Sequence, residues 1–286
     1  MNGQRMAQDS HYVLSNGTSV RPPNGVPIYY SDILSAFMAK KGRARLVFKA
    51  DGIEYKFPNG RMGLHELHMV EPGGKLIGIM GGSGSGKSTL LNVLNGNLAP
   101  SRGHVTINGI DVHTERDRIR GVIGHVSQDD LLIEELTVFQ NLFYNAKLSF
   151  GDLNDEQVSE RVMRMLQTLG LYDTKDLKVG SPLEKTISGG QRKRVNIALE
   201  LIREPSVLFV DEPTSGLSSR DSENIMDLLK ELALKGRIVF VVIHQPSSDI
   251  FKLFDRLLLM DQEGHPVYYG DPVDAVVYFK RVTGQV

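Results

Sequence analysis

An apolar strand running straight into a glycine-rich loop constrains this chain more than any other feature. Leu76-Ile-Gly-Ile-Met80 reads as a short buried strand, and Gly81-x-x-x-x-Gly86-Lys87-Ser88 follows it at once. Backbone N–H groups can wrap a polyphosphate only where side chains leave room, and glycines at 81, 82, 84 and 86 leave that room and tolerate positive φ. Leu90, Leu91, Val93 and Leu94 predict a helix starting near Lys87, whose free amides and positive dipole end face the same loop. Lys87 adds a full charge toward the β and γ phosphates, and Ser88 is placed to ligate magnesium. Gly81, Gly82, Ser83, Gly84, Ser85, Gly86, Lys87, Ser88 and Thr89 are the expected contacts of a nucleoside triphosphate.

The length of 286 residues, with 41% hydrophobic and 23% charged, is ordinary for an α/β domain with a real core. A net charge of −1 and the lack of a basic stripe give no support to nucleic-acid binding, and no such partner is expected. The absence of cysteine excludes disulfides and thiol-based metal sites. The run Ile238 to Ile243 falls far short of the roughly 18 to 20 residues of a membrane helix. The N-terminus has no apolar signal core. The chain is not expected to span a membrane itself.

Residues 1–44 read as a leader or connector, with helical spacing over Ser31 to Lys41 and turn signals at Asn16-Gly17 and Pro22-Pro23-Asn24-Gly25. The stretches Leu46 to Phe48, Gly52 to Phe57 and Leu64 to Val70 suggest an antiparallel β piece leading into the loop strand. Phe57 is the aromatic best placed to stack on a base, with core packing the equal alternative. Thr137 to Leu148 and Asn154 to Leu169 carry helical spacing, so a helical subdomain of about 130–187 interrupts the core. Strand and helix patterns then alternate (Ser206 to Val210, Asp221 to Leu234, Ile238 to Ile243), which implies a parallel sheet. Asp261-Gln-Glu-Gly264 marks a hairpin, and Asp271-Pro272 starts a final helix.

A Walker A loop alone fits kinases, GTPases, helicases and transport ATPases. Val207-Leu-Phe-Val-Asp211-Glu212 adds an apolar strand ending in two carboxylates, as a Walker B motif requires. There Asp211 can hold magnesium and Glu212 can orient or deprotonate water. Ser188-Gly189-Gly190-Gln191 opens another helix and offers a second anion site. One nucleotide hardly needs two such loops. Two chains placed head to tail would use both, each binding ATP between its own Walker loop and its partner's Ser188 to Gln191.

Ile187-Ser-Gly-Gly-Gln191 between the two Walker motifs resembles an ABC ATPase over about residues 46–280. The resemblance implies an α/β P-loop NTPase fold, a parallel-sheet core with an antiparallel β piece and an inserted helical subdomain, spanning 45–286. It implies ATP and Mg2+ as ligands, Gln128 touching the magnesium and the membrane partner, His244 at the γ-phosphate, and Phe57 on the adenine. Gln128-Asp-Asp130, Pro213-Thr-Ser-Gly-Leu217 and His244-Gln-Pro-Ser-Ser248 are similar to the G subfamily of exporters and related bacterial proteins. In these the ATPase precedes a membrane permease domain. This chain is therefore expected to be a piece of a longer protein at the cytoplasmic face of a membrane, dimerising on ATP and driving export. Ser218 departs from the subfamily, which has aspartate there, and that puts coupling or hydrolysis rate in question. A regulatory module with weak or no hydrolysis and a non-transport ABC ATPase are the alternatives.

Overall fold

The computed structural model describes residues 46–284 apart from 152 and 182–185. It also describes two short strands, β1 (Ser19–Val20) and β2 (Ile28–Tyr29), paired antiparallel. The helix expected over Ser31 to Lys41 lies outside the described residues.

Alternation of apolar and polar residues builds a one-sided antiparallel sheet first. β3 (Val47–Lys56) and β4 (Met62–Pro72) bury Phe48, Ala50, Ile53, Leu64, Leu67 and Met69. The two stretches before and after Ala50 form one strand. It bulges at Gly52, which sits at φ 57°, where the pairing with β4 skips from Ala50 to Ile53. The loop strand β5 (Lys75–Gly81) and helix α1 (Lys87–Leu94) follow, and β6 (Arg102–Ile107) and β7 (Ile110–Asp111) complete the order β4-β3-β6-β7.

The main sheet is made of strands that are apolar on both faces, so each face needs cover. β5, β8 (Ile123–Val126), β9 (Val207–Asp211), β10 (Ile238–Val242) and β11 (Arg256–Met260) run parallel, and β12 (Pro266–Gly270) returns antiparallel to β11. Their order is β12-β11-β5-β10-β9-β8. Ile77, Ile79, Phe209, Phe240 and Val242 pack toward α1 and the antiparallel sheet. Leu76, Leu208, Val210, Val239 and Val241 join a second core with α2 (Val138–Ser149), α3 (Asp155–Thr168), α4 (Gly189–Leu201) and α5 (Ser219–Leu234). Each such large side chain contributes about 1.5–3 kcal/mol on burial. The Phe209 and Phe240 rings stack 4.8 Å apart, and Phe48 meets Phe240 at 5.0 Å, which joins the two sheets.

The helices begin where capping chemistry puts them. Thr137 with Gln140, Asn154 with Gln157, and Ser188 with Gln191 each form a reciprocal capping box. α5 is fastened at its far end by a buried ion pair, Lys230 Nζ to Asp255 Oδ1 at 2.7 Å, and Asp255 Oδ2 accepts from Leu76 N at 2.7 Å. The latter bond ties the same carboxylate to the start of β5.

After α6 (Ser248–Phe251), the last helix is α7 (Pro272–Val282), capped by Asp271, which accepts from Val273 N at 2.8 Å. Burial pushes the Asp271 carboxyl up to about 6 from 3.8, against the helix amide that favours its charge. The folded state thus holds this proton more tightly than the unfolded one, so the group's contribution to stability declines as pH rises from about 4 to 6. Asp271→Asn keeps a capping side chain without the charge. It is expected to be about 1–3 kcal/mol more stable than the wild type above pH ~6, with the gap closing toward pH ~4. Thermal melts across that range check it, and a wild type more stable at neutral pH would count against it.

Candidate active site

The parallel strands β5, β10 and β9 end side by side, at the edge where open α/β sheets hold ligands. β5 delivers Gly81 into the loop, and Gly84 and Gly86 take φ of 75° and 83°. Gly86 begins α1 with no side-chain capping bond, so the first helix amides are left for a ligand. Lys87 is only 6% exposed and folds back over the loop, donating to Gly81 O at 3.0 Å and Gly82 O at 2.8 Å. Burial pushes its pKa down, while the charges of Glu212 and Asp211 oppose that shift.

β9 supplies the acids. Burial pushes the Asp211 carboxyl up, and the neighbouring Glu212 charge acts in the same direction. Glu212 takes φ 44°, a left-handed conformation that costs a residue with a side chain roughly 1–2 kcal/mol. Its amide is held by Val242 O at 3.0 Å. Its carboxylate is held from two sides: His244 Nε2 lies 2.8 Å from Oε1, and Gln128 Nε2 donates to Oε2 at 3.3 Å. His244 follows β10 and Gln128 follows β8, so three strand ends meet on one carboxylate.

A cleft of about 370 Å³ opens beside them. It is lined by Phe57, Arg61, Met62 and Gly63, by Ser83, Gly84, Ser85, Gly86, Lys87, Ser88 and Thr89, and by Glu212, His244, Glu263 and Gly264. Phe57 is half-buried and meets Tyr55 edge-on at 5.2 Å, so the ring is packed on one side and borders the cleft on another. Gly81 and Gly82 reach the cleft through Lys87, and Gln128 through Glu212. Among the described residues no cluster of three or more His, Asp or Glu could hold a metal alone. Ser88, Asp211 and Gln128 fit magnesium instead in the way it is bound next to nucleotides, through one carboxylate and substrate phosphates.

Ser188, Gly189, Gly190 and Gln191 do not line this cleft. Ser188 Oγ accepts from Gln191 N at 3.1 Å, and Gln191 Oε1 accepts from Ser188 N at 2.8 Å. A Cβ on Gly190 would sit 2.5 Å from Asp221 Oδ1, so this loop packs directly on the start of α5. There Ser218 is the cap, accepting from Asp221 N at 3.1 Å and donating to Asp221 Oδ2 at 2.8 Å. Aspartate could accept from the Asp221 amide in the same way, but it could not donate to the Asp221 carboxylate and would set a second negative charge beside it.

Two groups escaped the sequence reading. One is a clasp from α4 onto the segment that carries Gln128: Arg192 pairs with Asp130 at 2.6 Å, and Lys193 Nζ donates to Gln128 O at 3.1 Å. Burial pushes the Lys193 pKa down, against the pull of Asp130 and Asp211. The basic run Arg192-Lys193-Arg194 beside Asp129-Asp130 was the available signal. The other is the turn holding Glu263 and Gly264, legible only as a hairpin.

No helix among the described residues is long and apolar enough to cross a membrane. Residues 64–215 match the family model described as ABC transporter. Among similar proteins, ABC transporter G family member 14 of Arabidopsis thaliana is 43% identical over 75% of this chain and 33% of its own length. The ABC-type transporter claG of Penicillium crustosum is 38% identical over 81% of this chain and 32% of its own length. The chain thus spans about a third of these relatives. Among solved structures, cbiO1 from Clostridium perfringens, described as part of the ABC transporter complex cbiONQ, superposes with a TM-score of 0.71. It is 30% identical, and the match covers 83% of this chain and 93% of that one. The family match, the shared fold and the phosphate loop facing Glu212 agree: the chain belongs to the ABC transporter family, as an ATP-binding ATPase domain.

Proposed function

We propose that this chain hydrolyses MgATP as a head-to-tail dimer and powers transport, in the export direction, through a membrane domain that follows it. The reading places residues 45–286, with a helical subdomain at 130–187, on the cytoplasmic face, and residues 1–44 as a leader or connector. One observation carries it: Glu212 is held by His244 and Gln128 at the wall of the cleft, whereas Ser188 to Gln191 opens elsewhere. A second chain turned end to end would bring its own Ser188 to Gln191 over the nucleotide.

The residues then divide the work. Lys87 exchanges the carbonyls of Gly81 and Gly82 for phosphate oxygens, and the loop and α1 amides cradle the rest. Ser88, Asp211 and Gln128 would hold magnesium, which would supply charge neutralisation at the phosphates. Glu212 orients the attacking water and takes its proton, and His244 steadies the γ-phosphate. Phe57 stacks on the adenine. Gln128, clasped by α4, passes the change at Glu212 to the helical side of the molecule.

The test is magnesium-dependent ATP hydrolysis by the chain as a function of its own concentration. The rate per chain is expected to climb with concentration. A rate per chain independent of concentration overturns the dimer. Tight ATP binding without turnover would favour the second reading, a regulatory module, which rests on Ser218.

A further inference from the structure

The turn between β11 and β12 is more tightly placed than a surface connection requires. Glu263 and Gly264 line the cleft beside the phosphate loop. Three backbones meet there. A Cβ on Gly264 would lie 2.3 Å from Gly63 O, and a Cβ on Gly86 would lie 2.9 Å from that same oxygen and 3.3 Å from Gly264 Cα. Gly63 in turn abuts the Phe57 ring, where an added Cβ would come within 2.5 Å of Cε2. Gly63 therefore stands between the loop that takes phosphates and the ring that takes the base, and the turn packs on Gly63 and Gly86 at the wall of the same cleft. In a nucleotide, the sugar joins those two parts.

The turn is also held in one conformation. Asp261 N donates to His265 O at 2.8 Å, and Asp261 Oδ1 accepts from Gln262 N at 2.7 Å. His265 stacks on His65 of β4, with ring centroids 3.5 Å apart and planes within 13°. Glu263 takes φ 62° and ψ 16°, a left-handed conformation that a residue with a side chain keeps only where its surroundings enforce it. An ionised carboxylate accepts hydrogen bonds and donates none. Next to a triphosphate it is repelled by the phosphates and matched by the sugar, whose hydroxyls donate; acidic side chains hold ribose in dinucleotide folds by the same chemistry.

We propose that Glu263 is a specificity-determining residue that accepts hydrogen bonds from the ribose hydroxyls of the bound nucleotide. The inference rests on the ATP site proposed above. The experiment compares binding of ATP and 2′,3′-dideoxy-ATP, each with magnesium, to the chain and its variants. The wild type is expected to prefer ATP by about tenfold or more, the scale of a hydrogen bond to a charged group. Glu263→Ala is expected to bring the two nucleotides within about twofold by weakening ATP alone. Glu263→Gln, which keeps an acceptor, should fall between. Phe57→Ala should weaken both nucleotides alike and keep the preference, since stacking does not read the sugar. An unchanged preference in Glu263→Ala, or a wild type that does not distinguish the two, overturns the role of Glu263 and leaves the ATP site standing. A wild type that binds neither nucleotide overturns the site itself.

Discussion

Glu212→Gln is expected to lose ATP turnover by about 10²–10⁴-fold, the contribution typical of a positioned general base. ATP binding is expected to survive. The amide has the shape of the carboxylate and can keep contacts with Gln128 and His244, which hold Glu212 at 3.3 Å and 2.8 Å. With chemistry blocked, the ATP-bound dimer should accumulate, and light scattering with saturating MgATP would show a doubled mass. Turnover within a factor of about two of the wild type would remove Glu212 from the chemistry. A monomer at saturating ATP would instead remove the sandwich.

The second large effect is expected from Lys87→Ala. The ammonium is buried against the loop, where it donates to loop oxygens, and a phosphate would replace them with full charges. Losing a charge-assisted hydrogen bond of that kind costs about 1.5–3 kcal/mol in binding. Losing its help at the charge that develops during phosphoryl transfer costs a further ~10²-fold or more in rate. Calorimetric titration with ATP and a turnover assay check both, with a thermal melt to show that the variant folds. Undiminished hydrolysis would dismiss the loop as the site.

Much of this was legible where local chemistry decides structure. The apolar runs at Val207 to Val210 and Ile238 to Ile243 carry no alternation, and both became strands covered on two faces. The helical spacing over Asn154 to Leu169 became α3, which spans Asp155–Thr168. Other features depend on contacts that no local pattern records. The position of β10 between β5 and β9 is set by how the crossover helices pack. For that reason the convergence of Gln128, Glu212 and His244 followed from resemblance before it followed from geometry. Gly264 read only as part of a hairpin, because what excludes a side chain there is the backbone of Gly63, distant in sequence.

The ends of the main sheet bear on how copies of this chain can meet. One rim is β8, only 4 residues long, and the amide of His125 on it is taken at 3.3 Å by the carboxylate of Glu200 from α4. The other is β12, which starts at Pro266 and gives way to α7 after 5 residues. Short, occupied or proline-led rims are how sheets refuse to pair with one another. Two copies cannot readily fuse into one continuous sheet, so attraction between them is left to loops and helix ends. In the head-to-tail dimer proposed above, contact between copies would then depend on whether nucleotide fills those loops, and emptying the site is expected to part them.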